Sequence, residues 1–291
     1  MRILILGGDG MLGHQLLMLL RERHDVRVTL RQEFPAYTGT KLFSSENASA
    51  GIDVRATDKL LGVLSRFRAD AVVNAVGIVK QRADGLDVIP NLEINALLPH
   101  RLALMCRAVG ARLIHISTDC VFSGNRGQYR EDDTPDPVDI YGHSKLLGEV
   151  TQPGVITLRT SIIGRSLYRN SSLIDWFLSQ TGRIKGYRNA IFSGFTTKEL
   201  SRVIAMLLEQ HPLASGLYHL SSTAISKHDL LVLFRDYLGH SVEIVPDDAV
   251  RIDRSLDSTR FRSEFGYAPP SWDDMLEELA HDIQMSPALA A

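Results

Sequence analysis

Tyr141 and Lys145 stand four residues apart in the run Tyr141-Gly142-His143-Ser144-Lys145. On a helix that spacing puts both side chains on one face, about one turn apart. An ammonium beside a phenol favours the phenolate and draws its pKa from about 10 toward neutrality. A phenol tuned in that way can pass a proton to or from a substrate oxygen at working pH. A solvated Tyr/Lys pair on a surface helix has the same spacing. What the pair does therefore depends on the elements that would position it.

The chain opens on Ile3-Leu4-Ile5-Leu6, an apolar run consistent with a buried parallel strand. It leads directly into Gly7-Gly8-Asp9-Gly10-Met11-Leu12-Gly13 and then an apolar-rich helical stretch to about Arg23. The loop satisfies Gly8-x-Gly10-x-x-Gly13 and Gly7-x-x-Gly10-x-x-Gly13 together. Between a strand and a helix, such glycines let backbone approach a pyrophosphate at the helix N-terminus. Gly7, Gly10, Met11, Leu12 and Gly13 are thus candidate cofactor-binding residues. Val26 to Leu30 reads as the second strand. It is followed by Arg31, where a carboxylate would mark preference for a ribose 2′-hydroxyl. An arginine there suits a 2′-phosphate and favours NADP over NAD, although nearby Glu33 leaves NAD open.

Ile52-Asp53-Val54 is expected as a third strand, with Asp53 placed to accept from the adenine amino group. A helix follows from Thr57-Asp58 to about Phe67. Ala71 to Ala75 is a fourth strand, ending in Asn74-Ala75-Val76-Gly77, whose small residues let a cofactor lie against the strand end. Ile78 to Asn91 is expected as a polar loop near the substrate, with Lys80, Gln81 and Arg82 able to meet an anionic group. Leu92 to Val109 reads as a long helix, with Asn95 a weak helix former inside it. Asn95 hints at a packing or water-holding role. Arg112 to Ser117 is a fifth strand, and Thr118 follows it. The Tyr141 helix is expected from near Pro137 to about Thr151. Val155 to Arg159 is a sixth strand.

Strand and helix thus alternate with a period near thirty over the first 160 residues. The fold class is α/β, a Rossmann-type doubly wound parallel sheet with a smaller mixed α/β C-terminal substrate-binding region. Residues 1–164 form the dinucleotide-binding domain, with elements around 191–220 returning to it. Residues 165–291 mainly bind substrate. Ligands of such sheets sit at the strand C-terminal ends. The glycine loop, Asn74–Gly77, Thr118 and Thr160-Ser161 all fall at such ends.

A chain of 291 residues with net charge -2 carries no basic surplus for nucleic acid or an anionic membrane. Its apolar runs are too short to span a bilayer, and the first residues have no signal-peptide layout, so a cytoplasmic location is expected. Cys106 and Cys120 are the only cysteines. They exclude a cysteine-rich metal site, and no metal is expected.

With these elements in order, the sequence resembles the extended short-chain dehydrogenase/reductase family. The carriers are Gly7-x-x-Gly10-x-x-Gly13, Asn74-Ala75-Val76-Gly77, Ser117-Thr118-Asp119 and Tyr141-x-x-x-Lys145. Ser117 to Gly124, Tyr141 to Glu149, Leu158 to Ser161, Gly216 to His219 and Ser255-Leu256-Asp257 are most similar to its dTDP-4-dehydrorhamnose reductase branch. The resemblance implies an NAD(P)H-dependent reductase of the 4-keto group of a nucleotide-diphospho-deoxysugar. Thr118 would bond the carbonyl oxygen, Tyr141 would donate the proton, and Lys145 would hold the nicotinamide ribose and tune Tyr141. Related enzymes often pair through helices flanking the sheet, which implies a homodimer.

Two departures touch the substrate. Ile162 stands where the branch commonly has a tryptophan, and Cys120 where it has a tyrosine. GDP-fucose synthases carry a cysteine at that offset, so an epimerase or epimerase-reductase using Cys120 is an alternative. A non-catalytic NADP-binding regulatory subunit is another. Lys80, Thr118, Cys120, Ile162 and Arg251 are candidate substrate residues, and Arg183, Lys185, Arg188 and Arg254 join Arg251 as candidate pyrophosphate binders. Arg159 fits a substrate or a structural role. His115 and His219 read as structural.

Overall fold

The short apolar runs become strands because they are buried on both faces. In the computed structural model, which describes residues 1–80, 85–167 and 172–285, the first run is β1, Arg2–Leu6, followed by helix α1, Met11–Leu20. Strand β2 is Asp25–Thr29 and the two-residue β3 is Ala48–Ser49. Helix α2, Thr57–Phe67, leads to β4, Ala71–Asn74. One helical turn, α3 at Val88–Asn91, passes through a π-wound segment, Leu92–Leu97, into α4, Leu98–Val109. Strand β5 is Arg112–Ile116, helix α5 is Ile140–Leu147 and β6 is Val155–Arg159. Then come β7 (Ile162–Ile163), α6 (Leu173–Leu178), β8 (Arg183–Tyr187), β9 (Ala190–Phe192), β10 (Phe195–Thr196), α7 (Thr197–Gln210) and β11 (Gly216–His219). The chain continues with β12 (Ile225–Ser226), α8 (Lys227–Leu238), β13 (Glu243–Asp247), β14 (Ile252–Asp253), α9 (Thr259–Phe265) and α10 (Trp272–Met285).

Seven strands form one sheet in the order β11-β6-β5-β4-β1-β2-β3. Strands β1 to β6 pair in parallel throughout. The direction of winding reverses between β1 and β4, the switch point at which such sheets bind ligands. The chain divides into two compact units. The first holds Met1–Thr118, Val138–Leu158 and Ser201–Leu217; the second holds Asp119–Pro137, Arg159–Leu200 and Tyr218–Ala291. In the first unit, Leu4, Leu6, Val72 and Leu113 from the sheet pack on Leu60 and Leu64 of α2 and Leu98 and Leu102 of α4. The second unit has three further small sheets, and Phe177, Phe234 and Phe261 are fully buried in it. No described helix is long and apolar enough to cross a membrane.

Three expectations about elements need correction. Ile52-Asp53-Val54 is not a strand, because pairing with β2 ends at Ser49. Gly51 takes φ +67 there, and the Asp53 carboxylate accepts the Arg55 amide at 3.0 Å. That local turn competes with a sheet ladder. The stretch expected as a loop up to Asn91 contains α3. Pro90 lies in its first turn, where a missing N–H is tolerated. The helix of Tyr141 begins at Ile140 rather than near Pro137 and stops at Leu147. Gln81, Arg82 and the tail after Ser286 lie outside the described residues.

Candidate active site

The glycine loop is shaped by close approach. Gly7 takes φ +81, a conformation costly for any residue with a Cβ. A Cβ on Gly8 would lie 2.5 Å from Val28, and one on Gly13 only 1.9 Å from the Gly7 carbonyl oxygen. The loop therefore folds tightly onto β2 and onto the first turn of α1. No side chain caps α1 at Gly10, so its first amides keep their positive potential for an anion. The cradle and the bare helix end together fit a dinucleotide pyrophosphate.

The turn after β4 is tied at both ends. The Asn74 carbonyl oxygen of the side chain accepts the Val76 amide at 3.2 Å, and its amide nitrogen lies 3.1 Å from His115 Nδ1. With Asn74 donating, Nδ1 accepts and His115 carries its proton on Nε2. That atom is buried and has no hydrogen-bond partner. Burial first, and the Lys145 charge second, hold the His115 pKa well below its ordinary value. At the other end, Asn95 accepts the Ile78 amide at 2.9 Å and donates to the Ile78 carbonyl at 3.0 Å. Asn95 also donates to Asn91 and to the Ser144 hydroxyl, at 3.0 and 3.2 Å. It lies in the π-wound segment, and π-turns inside helices recur at functional sites.

Helix α5 is capped by Asp139, whose carboxylate accepts the Gly142 amide at 2.9 Å. Lys80 forms an ion pair with the same carboxylate and lies 5.6 Å from the Tyr141 ring centre. Tyr141 is half-buried in the first turn. One turn on, Lys145 is 4% exposed and donates from Nζ to the Ile116 carbonyl at 2.6 Å. Thr118, also buried, follows Ile116 by two residues, so Lys145 and Thr118 both stand where β5 ends. Burial draws the Lys145 pKa down to about 8, while the charge of Glu149 opposes the fall. The Ser117 hydroxyl donates to Glu149 at 2.8 Å.

At the far side of the glycine loop, Arg31 is exposed beyond β2. Its charge reaches Asp53, but Arg55 dominates that carboxylate, with guanidinium bonds of 2.6 to 3.1 Å that pull its pKa down to about 2. Val54 is half-buried beside it. Tyr37 is buried near the loop and donates from its hydroxyl to Asp9 at 3.1 Å.

Cys120, Ile162 and Arg251 belong to the second unit. Cys120 sits half-buried in a short turn, Ile162 pairs with Phe195, and Arg251 is exposed. Arg183, Lys185 and Arg188 pair with Glu243, Asp247 and Asp248. Arg254 donates to the Phe122 carbonyl at 2.8 Å. Arg159 is buried, 3.1 Å from His219 Nε2 and over the Phe122 ring, which gives it structural partners. Sequence reasoning passed over Glu149, Ser117, Ser144 and Asn91. The one signal for Glu149 was its place four residues beyond Lys145.

A family model described as the RmlD substrate binding domain matches residues 1–285. The probable low-salt glycan biosynthesis reductase Agl14 of Haloferax volcanii is 26% identical over 299 residues, covering 94% of this chain and 96% of the relative. The dTDP-4-dehydrorhamnose reductase of Bacillus anthracis, solved in complex with NADP, aligns with a TM-score of 0.79 at 23% identity, covering 97% of this chain and 99% of its own. WbmG of Bordetella bronchiseptica, solved with NAD and UDP, aligns with a TM-score of 0.79 at 21% identity, covering 100% and 97%. At these identities the two structures speak to the fold.

Proposed function

The chain belongs to the RmlD substrate binding domain family, and from that premise we propose that it reduces the 4-keto group of a nucleotide-diphospho-deoxysugar with NAD(P)H, as a dTDP-4-dehydrorhamnose reductase does. The observation that carries this reading is Lys145, buried one turn from Tyr141 and fastened to the last carbonyl of β5. A buried ammonium in that position has a purpose if it stabilises a phenolate.

A nicotinamide dinucleotide held by its pyrophosphate at the Gly7–Gly13 loop would supply the hydride for the carbonyl carbon. Thr118 donates a hydrogen bond to the carbonyl oxygen and polarises it. Tyr141 gives that oxygen its phenolic proton, so the carbonyl becomes a secondary alcohol. The Lys145 ammonium stabilises the phenolate left behind, which then recovers a proton from water. Asn95 and Ser144 hold α5 against the Asn74–Ile78 turn while this happens.

NADPH is favoured over NADH. Arg31, exposed just beyond β2, could grip a 2′-phosphate, and the neighbouring carboxylate of Asp53 is already committed to Arg55. Lys80 and Arg251 remain candidates for the anionic part of the substrate, Cys120 and Ile162 for its sugar. A soluble cofactor and a nucleotide-linked sugar, if these are its ligands, support a cytoplasmic reaction.

Replacing Tyr141 by Phe tests the mechanism. The variant is expected to lose about 10² to 10⁴ in kcat, the ordinary weight of a general acid, while binding NADPH within a few fold of the original. Full turnover by the variant on dTDP-4-keto sugars would overturn it.

A further inference from the structure

Glu149 has no place in the steps above, yet it is fixed beside them. It follows Lys145 by four residues and lies just past the end of α5 at Leu147. The Ser117 hydroxyl donates to its carboxylate at 2.8 Å. Ser117 is itself buried and pinned to the sheet, its amide donating to the Leu158 carbonyl at 2.7 Å. The residue before Ser117 is Ile116, whose carbonyl takes the Lys145 ammonium. One step of β5 thus holds both the cation and its anion.

We propose that Glu149, anchored by Ser117, is a positioning residue that sets the charge on Lys145 and, through it, the pH range over which Tyr141 gives up its proton. The proposal rests on the reading of Tyr141 and Lys145 as the proton-transfer pair.

The physical need is plain. An ammonium this deeply buried sheds its proton unless an anion compensates the lost hydration. Among the described residues, these are the charged and titratable groups on the elements around it. From β5 comes His115, which stays neutral and adds no charge. From α4 comes His100, whose Nε2 is 2.8 Å from the Leu147 carbonyl and which bears on His115. On α5 is Tyr141, and just past its end is Glu149. Beyond β4, Lys80 lies over the Tyr141 ring and is answered by Asp139. Glu149 is the group whose charge opposes the loss of the Lys145 proton.

The decisive variant is Glu149→Gln, which keeps an acceptor for Ser117 and removes the charge. Two readouts should move in opposite directions. In the protein alone, the tyrosinate ultraviolet difference spectrum, with Tyr141→Phe subtracted, reports ionisation of Tyr141. Its midpoint should rise by about one pH unit in Glu149→Gln, because Lys145 is already neutral when the phenol ionises. In turnover of a dTDP-4-keto sugar with NADPH, activity of the original protein should fall on the alkaline side near a pH of about 8. In the variant that limb should move down by about one unit, a loss of roughly tenfold between the two midpoints. Glu149→Asp should restore both.

A side chain that only braces the helix would lower the rate equally at every pH and leave both midpoints in place. That result overturns the proposal. Ser117→Ala, which keeps the carboxylate but frees it, should move both midpoints the same way by less. Unmoved midpoints there too would be decisive if Glu149→Gln fails to fold. Failure of the underlying reading looks different: Tyr141→Phe would then turn over normally. Loss of turnover in Tyr141→Phe with unmoved midpoints in Glu149→Gln sinks the Glu149 proposal alone.

Discussion

Adding one methyl group at Gly148 should damage both stability and catalysis. Gly148 ends α5 with φ -89, a conformation open to any residue, so the backbone alone tolerates alanine. Space does not. A Cβ there would lie 1.9 Å from the Asn95 carbonyl oxygen and 3.3 Å from the Ala96 Cα. Real contacts of that kind essentially never fall under 3.0 Å, so α5 and the π-wound segment must part by about 1 Å. Both neighbours are backbone and cannot rotate away. Overpacking of this sort costs about 1–3 kcal/mol. Parting the helices also stretches the Asn95–Ser144 bond of 3.2 Å, and the loss of one such bond adds about 0.5–1.5 kcal/mol. The sum for Gly148→Ala is about 1.5–4.5 kcal/mol. At about 2–4 °C per kcal/mol for a domain of this size, Tm should fall by roughly 3–18 °C. Tyr141 and Lys145 ride on α5, and a displacement of about 1 Å at a reacting centre can cost about 10²-fold in rate. Thermal unfolding and kcat measured well below the new Tm give the two readouts. A Tm within about 1 °C of the original together with unchanged kcat would refute the argument that this contact sets the helix.

Two further outcomes follow from single residues. Arg31→Ala should weaken NADPH by about tenfold to a hundredfold, the worth of charge-assisted bonds to a phosphate, and leave NADH unchanged in equilibrium titration; equal loss for both cofactors would remove Arg31 from the 2′-phosphate. His219 is held neutral, burial and then Arg159 bringing its pKa from 6.5 down to about 4. The unfolded chain therefore binds the extra proton first, so this contribution, on the order of 3 kcal/mol, is whole above the unfolded value and lost as pH falls through the folded one. Urea unfolding at neutral pH and near pH 4 should show a smaller acid loss for His219→Gln than for the original protein, and equal losses would discard the assignment.

What could be read from sequence was whatever a local pattern determines. The glycine loop was legible because its spacing and its flanking strand and helix are contiguous. The parallel strands were legible because both of their faces are buried, which leaves unbroken apolar runs. β3 escaped because it is two residues long, and its place is set by pairing with Val28 and Thr29 rather than by composition. The roles of Arg183, Lys185 and Arg188 turned on the parallel pairing of β8 with β13, which puts carboxylates about sixty residues away beside them. Ser117 and Glu149 are separated by 32 residues, and only the seating of α5 on the end of β5 makes them partners. The π-wound segment left one trace, Asn95, a poor helix former whose side chain turned out to hold Ile78 and Ser144.

The motif that reports the chemistry does not by itself build it. Helix α5 has 8 residues, well under the roughly 12–15 that an isolated helix needs to be even marginally stable in water. Its order must come from what grips it. Asp139 caps the start and is itself held by Lys80. Ser144 is bonded by Asn95 at mid-length, Lys145 is fastened to Ile116, and Gly148 lets the end press on the Asn95 backbone. All but the Asp139 cap reach a segment of the chain far away in sequence. Tyr141 and Lys145 set four apart on any other short helix would share a face only while that helix lasted. The orientation of phenol to ammonium, and with it the ease of proton transfer, is therefore a property of the packed strand end and not of the spacing, so substitutions at residues that never touch a substrate, Gly148 and Asn95 among them, should register in kcat before they register in binding.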